Sequence, residues 1–468
     1  MIFASPAFLY FFLPITILLY HLITPFRSFI LIISSILFYI CGEENFYPLL
    51  YCILLIYFFG LWLTKAKNKK IKKIIYTTSI VLSLIPLIYY KYTTFILDIF
   101  FHITGKNSHF PKTTLPLGVS FFTFQAIAYL YDVYHQKHLA EKNFKNILLF
   151  KSFFPQLLAG PIVRYEEIIY SIRQPKISIL WMSQGMQLFI FGLSKKVLLA
   201  NTFGEYADKI FQTDTQSLSI LIAWLGTLLY GLQIFFDFSG YSEMAIGMGM
   251  IFGLTIPQNF NHPYTAKSIQ DFWRRWHMTL SSWFRDYLYI PLGGSKAGKF
   301  KTYRNLLIVF IVTGLWHGAN YNFLLWGLFH GLFLIFERLG FGNVLIKMPT
   351  ILRHIYVLVL VAISWAIFRI ENMNHLKLFL YKMFQLTEIN IDDLHELKTF
   401  MDRQLVFCLL IGIFLAANGI KNLTEVLKIN QEHAPFEITR KITSFILLLL
   451  CSIFVAGGTY NPFIYFRF

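Results

Sequence analysis

Two histidines forty positions apart, His277 and His317, are the residues of this chain best suited to chemistry. Each lies beside a tryptophan, in Arg275-Trp276-His277 and Trp316-His317-Gly318, within apolar surroundings. Ionisable groups at membrane depth are costly and mark functional sites by default. Imidazole can take a proton from a hydroxyl and return it to a leaving group, and a positioned acid–base group contributes about 10²–10⁴ in rate. From spacing alone, a core histidine bonded to a carbonyl describes His317 at least as well. Arg274, Arg275 and Arg285 stand in the same segment. They can snorkel to an interface or grip a phosphorylated ligand with forked contacts, and Asp271 and Asp286 are placed to neutralise them.

Other polar groups in apolar runs are Asp237 and Glu243, within FFDFSGYSEM. An unpaired carboxylate at depth costs about 2.5–3.5 kcal/mol on insertion scales, so pairing with a nearby motif arginine is expected. His21 and His330 read as core or interface histidines. The four cysteines (Cys41, Cys52, Cys408, Cys451) have no metal or redox spacing and read as small buried hydrophobes. No metal is expected.

The elements that must position these groups belong to a membrane protein. Of 468 residues, 56% are hydrophobic and only 14% charged, where a soluble domain carries about a quarter charged. Mean hydropathy is +0.57. The net charge of +17 does not indicate nucleic acid, because the lysines and arginines sit in short loops between apolar spans, a topology pattern. A basic face would also attract an anionic ligand or anionic lipid. The first apolar run, Phe3 to Ile23, lacks a basic start and an A-x-A site and reads as a span, not a cleaved leader.

Candidate spans are 6–24, 28–41, 46–63, 74–100, 116–134, 183–200, 218–238, 241–256, 304–317, 320–338, 354–370, 404–420 and 440–461. The stretches 146–163 and 271–292 are apolar but broken by proline, glycine and charge, as expected of re-entrant or interfacial pieces lining a site. The six lysines within residues 65–73 place that loop in the cytoplasm, and the basic loop 295–305 follows it there. Counting outward puts both termini, and the acidic loop 386–403, on the outer face. No internal repeat or long linker appears. One integral membrane domain over 1–468 is expected, with a motif-rich core at 116–331 and an aromatic tail at 459–468.

Four stretches carry a family resemblance: PLGVSFFTFQAIAYLYDVY (116–134), FFPQLLAGPIVRY (153–165), FFDFSGYSEMAIGMGMIFGLTIPQNFNHPY (235–264) running into DFWRRWHMTLSSWFRDYLYIPLGG (271–294), and GLWHGANYNFLLWGLFHG (314–331). In this order they resemble the bacterial branch of the membrane-bound O-acyltransferase (MBOAT) family, whose members acetylate alginate or peptidoglycan or transfer D-alanine to teichoic acids. The resemblance implies an all-α polytopic fold of about 11–13 transmembrane helices, with re-entrant segments around a central tunnel, in a bacterial cytoplasmic membrane.

It further implies transfer of an acetyl group from cytoplasmic acetyl-coenzyme A to a hydroxyl of an envelope polysaccharide. His317 matches the family's catalytic position and would be the base. His277 matches its second polar position and would orient an acceptor or polarise the carbonyl. Gly314 and Gly318 would let the backbone approach the thioester. Arg274, Arg275 and Arg285, with Trp276 and Trp316, would meet the donor. Tyr465, in the terminal FIYFRF, resembles the aromatic–tyrosine ending proposed to carry the acyl group to a periplasmic SGNH-hydrolase-like partner; an interfacial aromatic anchor accounts for it equally well. D-alanyl transfer is the alternative within the family. A histidine-relay transporter is the alternative outside it, although no inverted repeat supports one. A scaffold that only anchors a periplasmic enzyme would make His317→Ala silent.

Overall fold

Helices make up all the regular structure in the described residues of the computed structural model, which are 2–105, 114–296, 298–385, 391–426 and 434–458. Among them six helices are long and apolar enough to cross a bilayer: Tyr47–Lys65, Lys69–Thr104, Ile220–Ile251, Tyr321–Lys347, Thr350–Arg369 and Pro435–Ala456. Two bent pairs, Phe8–Leu22 with Thr24–Ile40 and Ile391–Phe400 with Arg403–Ala416, bring the number to eight. The protein is an all-α polytopic membrane protein. The larger expected number included the helix Val119–Tyr134, of 16 residues. At 1.5 Å per residue it falls short of the roughly 30 Å hydrocarbon core.

One boundary differs from expectation. The runs 218–238 and 241–256 were expected as two spans; they form a single helix, α1, Ile220–Ile251. Asp237, Ser239 and Ser242 interrupt the hydropathy, yet all three are buried and the helix runs through them. Cys41 also differs, being exposed at the end of its helix, while Cys52, Cys408 and Cys451 are buried.

The chain forms two compact units, Met1–Phe189 with Tyr241–Gln258, and Ile190–Gly240 with Asn259–Phe468. In the first, Phe3 stacks on Tyr241 with ring centroids 4.5 Å apart, and Phe8, Phe38 and Phe154 close the cluster. Asn68 caps the helix after the lysine-rich loop by accepting from the Lys70 N–H at 2.8 Å. The PLG and FFPQ motifs meet at Gly118, whose φ of +74° suits glycine and whose missing Cβ would overlap the Leu157 carbonyl oxygen. Nearby, the fully buried Lys151 donates to the Phe122 carbonyl at 2.5 Å. The stretch 151–163 is buried throughout, so its broken backbone is enclosed by protein as the membrane requires.

Glu141 ties the following loop together. Its carboxylate accepts from Asn143 N–H at 2.9 Å, Asn146 Nδ2 at 3.1 Å, Tyr165 O–H at 2.7 Å and Arg173 Nη2 at 2.6 Å. Burial pushes its pKa up, but these four donors outweigh burial and hold the carboxyl down at about 2.

In the second unit, the short helices α2 (Ile269–Arg275) and α3 (Met278–Phe284) precede a hairpin of α4 (Lys299–His317) and α5 (Tyr321–Phe336). Helix α6 (Thr350–Arg369) packs on α5. The buried Asn322 of α5 donates to the Phe368 carbonyl at 3.0 Å, and Arg369 pairs with Asp208 at 2.5 Å.

Candidate active site

The site begins with how α2 starts. Its first backbone N–H groups need acceptors, and Glu337 supplies them, accepting from Ile269 at 2.6 Å and Gln270 at 3.0 Å. Ser268 Oγ accepts from Asp271 N–H at 3.0 Å. A carboxylate there also complements the positive helix end. Helix α2 stops because His277 adopts left-handed backbone angles, φ +43° and ψ +57°, a region costly for a non-glycine residue. Such conformations persist where the surroundings enforce them. Here Asn259 does so. Its carbonyl accepts from Met278 N–H at 2.9 Å, and its side-chain Oδ1 accepts from Thr279 N–H at 3.2 Å and Thr279 Oγ1 at 2.9 Å. The same Oδ1 lies 3.1 Å from His277 Nδ1.

The His277 ring is fully buried. Phe238 meets it edge-on with centroids 4.6 Å apart, and Trp316 lies at 6.2 Å. Its Nε2 has no hydrogen-bond partner among the described residues. His317 is the last residue of α4 and is 5% exposed. Trp316, Trp326 and Phe368 surround its ring at 4.9, 5.0 and 5.2 Å. The two histidines singled out from sequence thus contact the same indole, that of Trp316.

A third histidine joins this cage. His330 is fully buried, 5.0 Å from Trp326 between centroids, and its Nδ1 accepts from the Trp273 indole N–H at 3.3 Å. Sequence reasoning left it out. The i, i+4 spacing of Trp326 and His330 on α5 puts both on one helix face, and that pattern was the available sign.

Other expected site residues fall differently. Gly314 and Gly318 do not open space for a ligand, because a Cβ on either would overlap Phe323, its carbonyl oxygen at Gly314 and its ring at Gly318. They bring the hairpin helices together instead. Trp276 is buried between Phe272 at 5.6 Å and Trp365 at 4.9 Å. Arg274 is exposed. Arg275 is held by Asp271 at 2.9 Å, and Arg285 by Asp286 at 2.7 Å. Asp237 pairs with Lys196 at 2.9 Å rather than with a motif arginine. The reason is local: Lys196 is as buried as Asp237, and Asn201 holds its ammonium at 2.9 Å. Glu243 is partly buried in the first unit. Tyr465 lies outside the described residues.

Fold and site together define a polytopic membrane protein with buried histidines in an aromatic cage. The description "MBOAT, membrane-bound O-acyltransferase family" matches residues 36–376. Over the whole of both chains, this one is 34% identical to the probable alginate O-acetylase AlgI of Pseudomonas putida. It is 32% identical to the peptidoglycan O-acetyltransferase of Helicobacter pylori, over 100% of this chain and 98% of that one. A more distant similarity, 27% over 56% of this chain and 67% of the relative, reaches the teichoic acid D-alanyltransferase of Bacillus subtilis. The chain belongs to the membrane-bound O-acyltransferase family and is an acyltransferase.

Proposed function

We propose that this protein transfers an acetyl group from acetyl-coenzyme A to a hydroxyl destined for an envelope polysaccharide of the alginate or peptidoglycan kind. The observation that carries the reading is the placement of His277 and His317 against one buried indole, in a chain aligned end to end with polysaccharide O-acetylating relatives. A hydroxyl oxygen attacks the thioester carbonyl carbon while an imidazole takes its proton. The carbon–sulfur bond breaks, an ester forms, and the proton passes to the departing thiolate. His317, slightly exposed where His277 is sealed, is the base. The exposed Arg274 suits a donor phosphate; Arg275 and Arg285 would have to exchange their carboxylate partners. Trp276 and Trp316 serve the site by packing.

In this reading the whole chain works as one acyltransferase domain in a bacterial cytoplasmic membrane, with its termini and Tyr465 on the outer side. The Tyr465 hydroxyl takes the acetyl group first, and a periplasmic SGNH-type enzyme passes it to the polysaccharide hydroxyl. The test is polysaccharide O-acetylation in a deletion strain complemented with wild type, His317→Ala or Tyr465→Phe, with membrane levels matched. Loss in both variants is expected. Full acetylation with His317→Ala would refute the enzyme mechanism; full acetylation with Tyr465→Phe would reduce the tail to an anchor. Release of coenzyme A by purified protein separates transfer of acetyl from transfer of D-alanine.

A further inference from the structure

We infer that Asn259 is a positioning residue that fixes which nitrogen of His277 carries the proton, and that His277 therefore accepts a hydrogen bond from a hydroxyl through Nε2. This rests on the reading of His277 as part of the acyl-transfer site. The inference starts from Thr279. A backbone N–H can only donate, so the Asn259 atom 3.2 Å from Thr279 N is the amide oxygen. The Thr279 hydroxyl, at 2.9 Å, meets the same atom. His277 Nδ1, 3.1 Å from that oxygen, must donate to it and so carries the ring proton. In neutral imidazole the other nitrogen, Nε2, is then a bare lone pair. That nitrogen is buried and makes no hydrogen bond among the described residues.

Two roles were open for His277 from sequence, orienting an acceptor or polarising a carbonyl. Polarising a carbonyl needs a donor, which a bare Nε2 is not. Orienting an acceptor hydroxyl needs a lone pair. Asn259 sits 18 positions upstream and meets the site through this turn. Its carbonyl also holds Met278 N–H at 2.9 Å, which keeps the ring from swinging away. His330 provides the contrast: Trp273 donates to its Nδ1, so the neutral ring carries its proton on Nε2.

The test uses full-length protein in detergent with ¹⁵N-labelled histidine rings, the His277 signals being identified by their disappearance in His277→Gln. Wild type should show a protonated Nδ1 and a bare Nε2. Asn259→Asp, which keeps the accepting oxygens, should preserve that pattern and rescue transfer activity. Asn259→Ala should mix the tautomers and lower kcat by about 10²-fold or more at matched protein levels. Thr279→Val, which leaves the Asn259–His277 bond, should stay near the wild-type rate. A wild-type spectrum with the proton on Nε2 overturns the proposal, as does Asn259→Asp behaving like Asn259→Ala in a folded protein. Full activity in His277→Ala would instead overturn the site reading, while the spectrum alone decides the tautomer.

Discussion

His317 and His330 both pack against Trp326, with ring centroids 5.0 Å away in each case, yet replacing them should have different consequences. Replacing His317 by alanine should lower coenzyme A release from acetyl-coenzyme A by about 10²–10⁴, the worth of a positioned acid–base group, without unfolding the protein. His330→Phe should behave in the opposite way. It deprives the Trp273 indole N–H of its acceptor at 3.3 Å, and an unsatisfied buried donor costs about 1–3 kcal/mol. A lowered melting temperature in detergent is expected, and His330→Gln should restore much of it. At this scale the motif residues were legible: the tryptophan–histidine pairs marked both proposed site histidines. Asn259 was not, because its role comes from three groups of the 277–279 turn converging on one oxygen. No linear spacing announces such a convergence.

The helices depend on pairs that hydropathy cannot reveal. The Lys196–Asp237 pair, 3% and 2% exposed, lets a charged residue stay inside α1. Removing one member strands the other, so Lys196→Met should destabilise by about 3–5 kcal/mol. The double variant Lys196→Met with Asp237→Leu should recover most of that, which thermal unfolding of the two in detergent would show. The α4–α5 hairpin is equally exacting. Gly314→Ala would set a methyl group against the Phe323 backbone oxygen, and backbone cannot yield as a side chain can. A loss of about 1–3 kcal/mol or more, together with displaced His317 and reduced transfer, should follow. Sequence placed the hairpin correctly and assigned its glycines to the ligand. It split α1 in two because a window average records polarity without recording whether a lysine from elsewhere satisfies it.

Glu141, in the loop that follows Val119–Tyr134, makes the stability of the molecule depend on acid pH. Glu141 has a folded-state pKa near 2, below its ordinary 4.5. Its stabilising contribution is therefore full above about 4.5 and is lost as pH falls from there toward 2. Melting temperature followed across that range should drop for wild type, and Glu141→Gln should be less stable at neutral pH with a flatter acid profile. The membrane class was legible from composition, and the all-α architecture from the apolar spans and the family resemblance. The division into two units was not, because both of them are discontinuous, and a chain with no linker gives no sign of that. This discontinuity bears on how the protein is made. Phe3 finds Tyr241 only after the ribosome has added more than two hundred further residues, and the first unit lacks its closing segment until Gln258 has been synthesised. A nascent chain stopped at 240 carries an unfinished aromatic cluster that membrane proteases can attack, whereas one stopped just past 258 should be the shortest product to survive them.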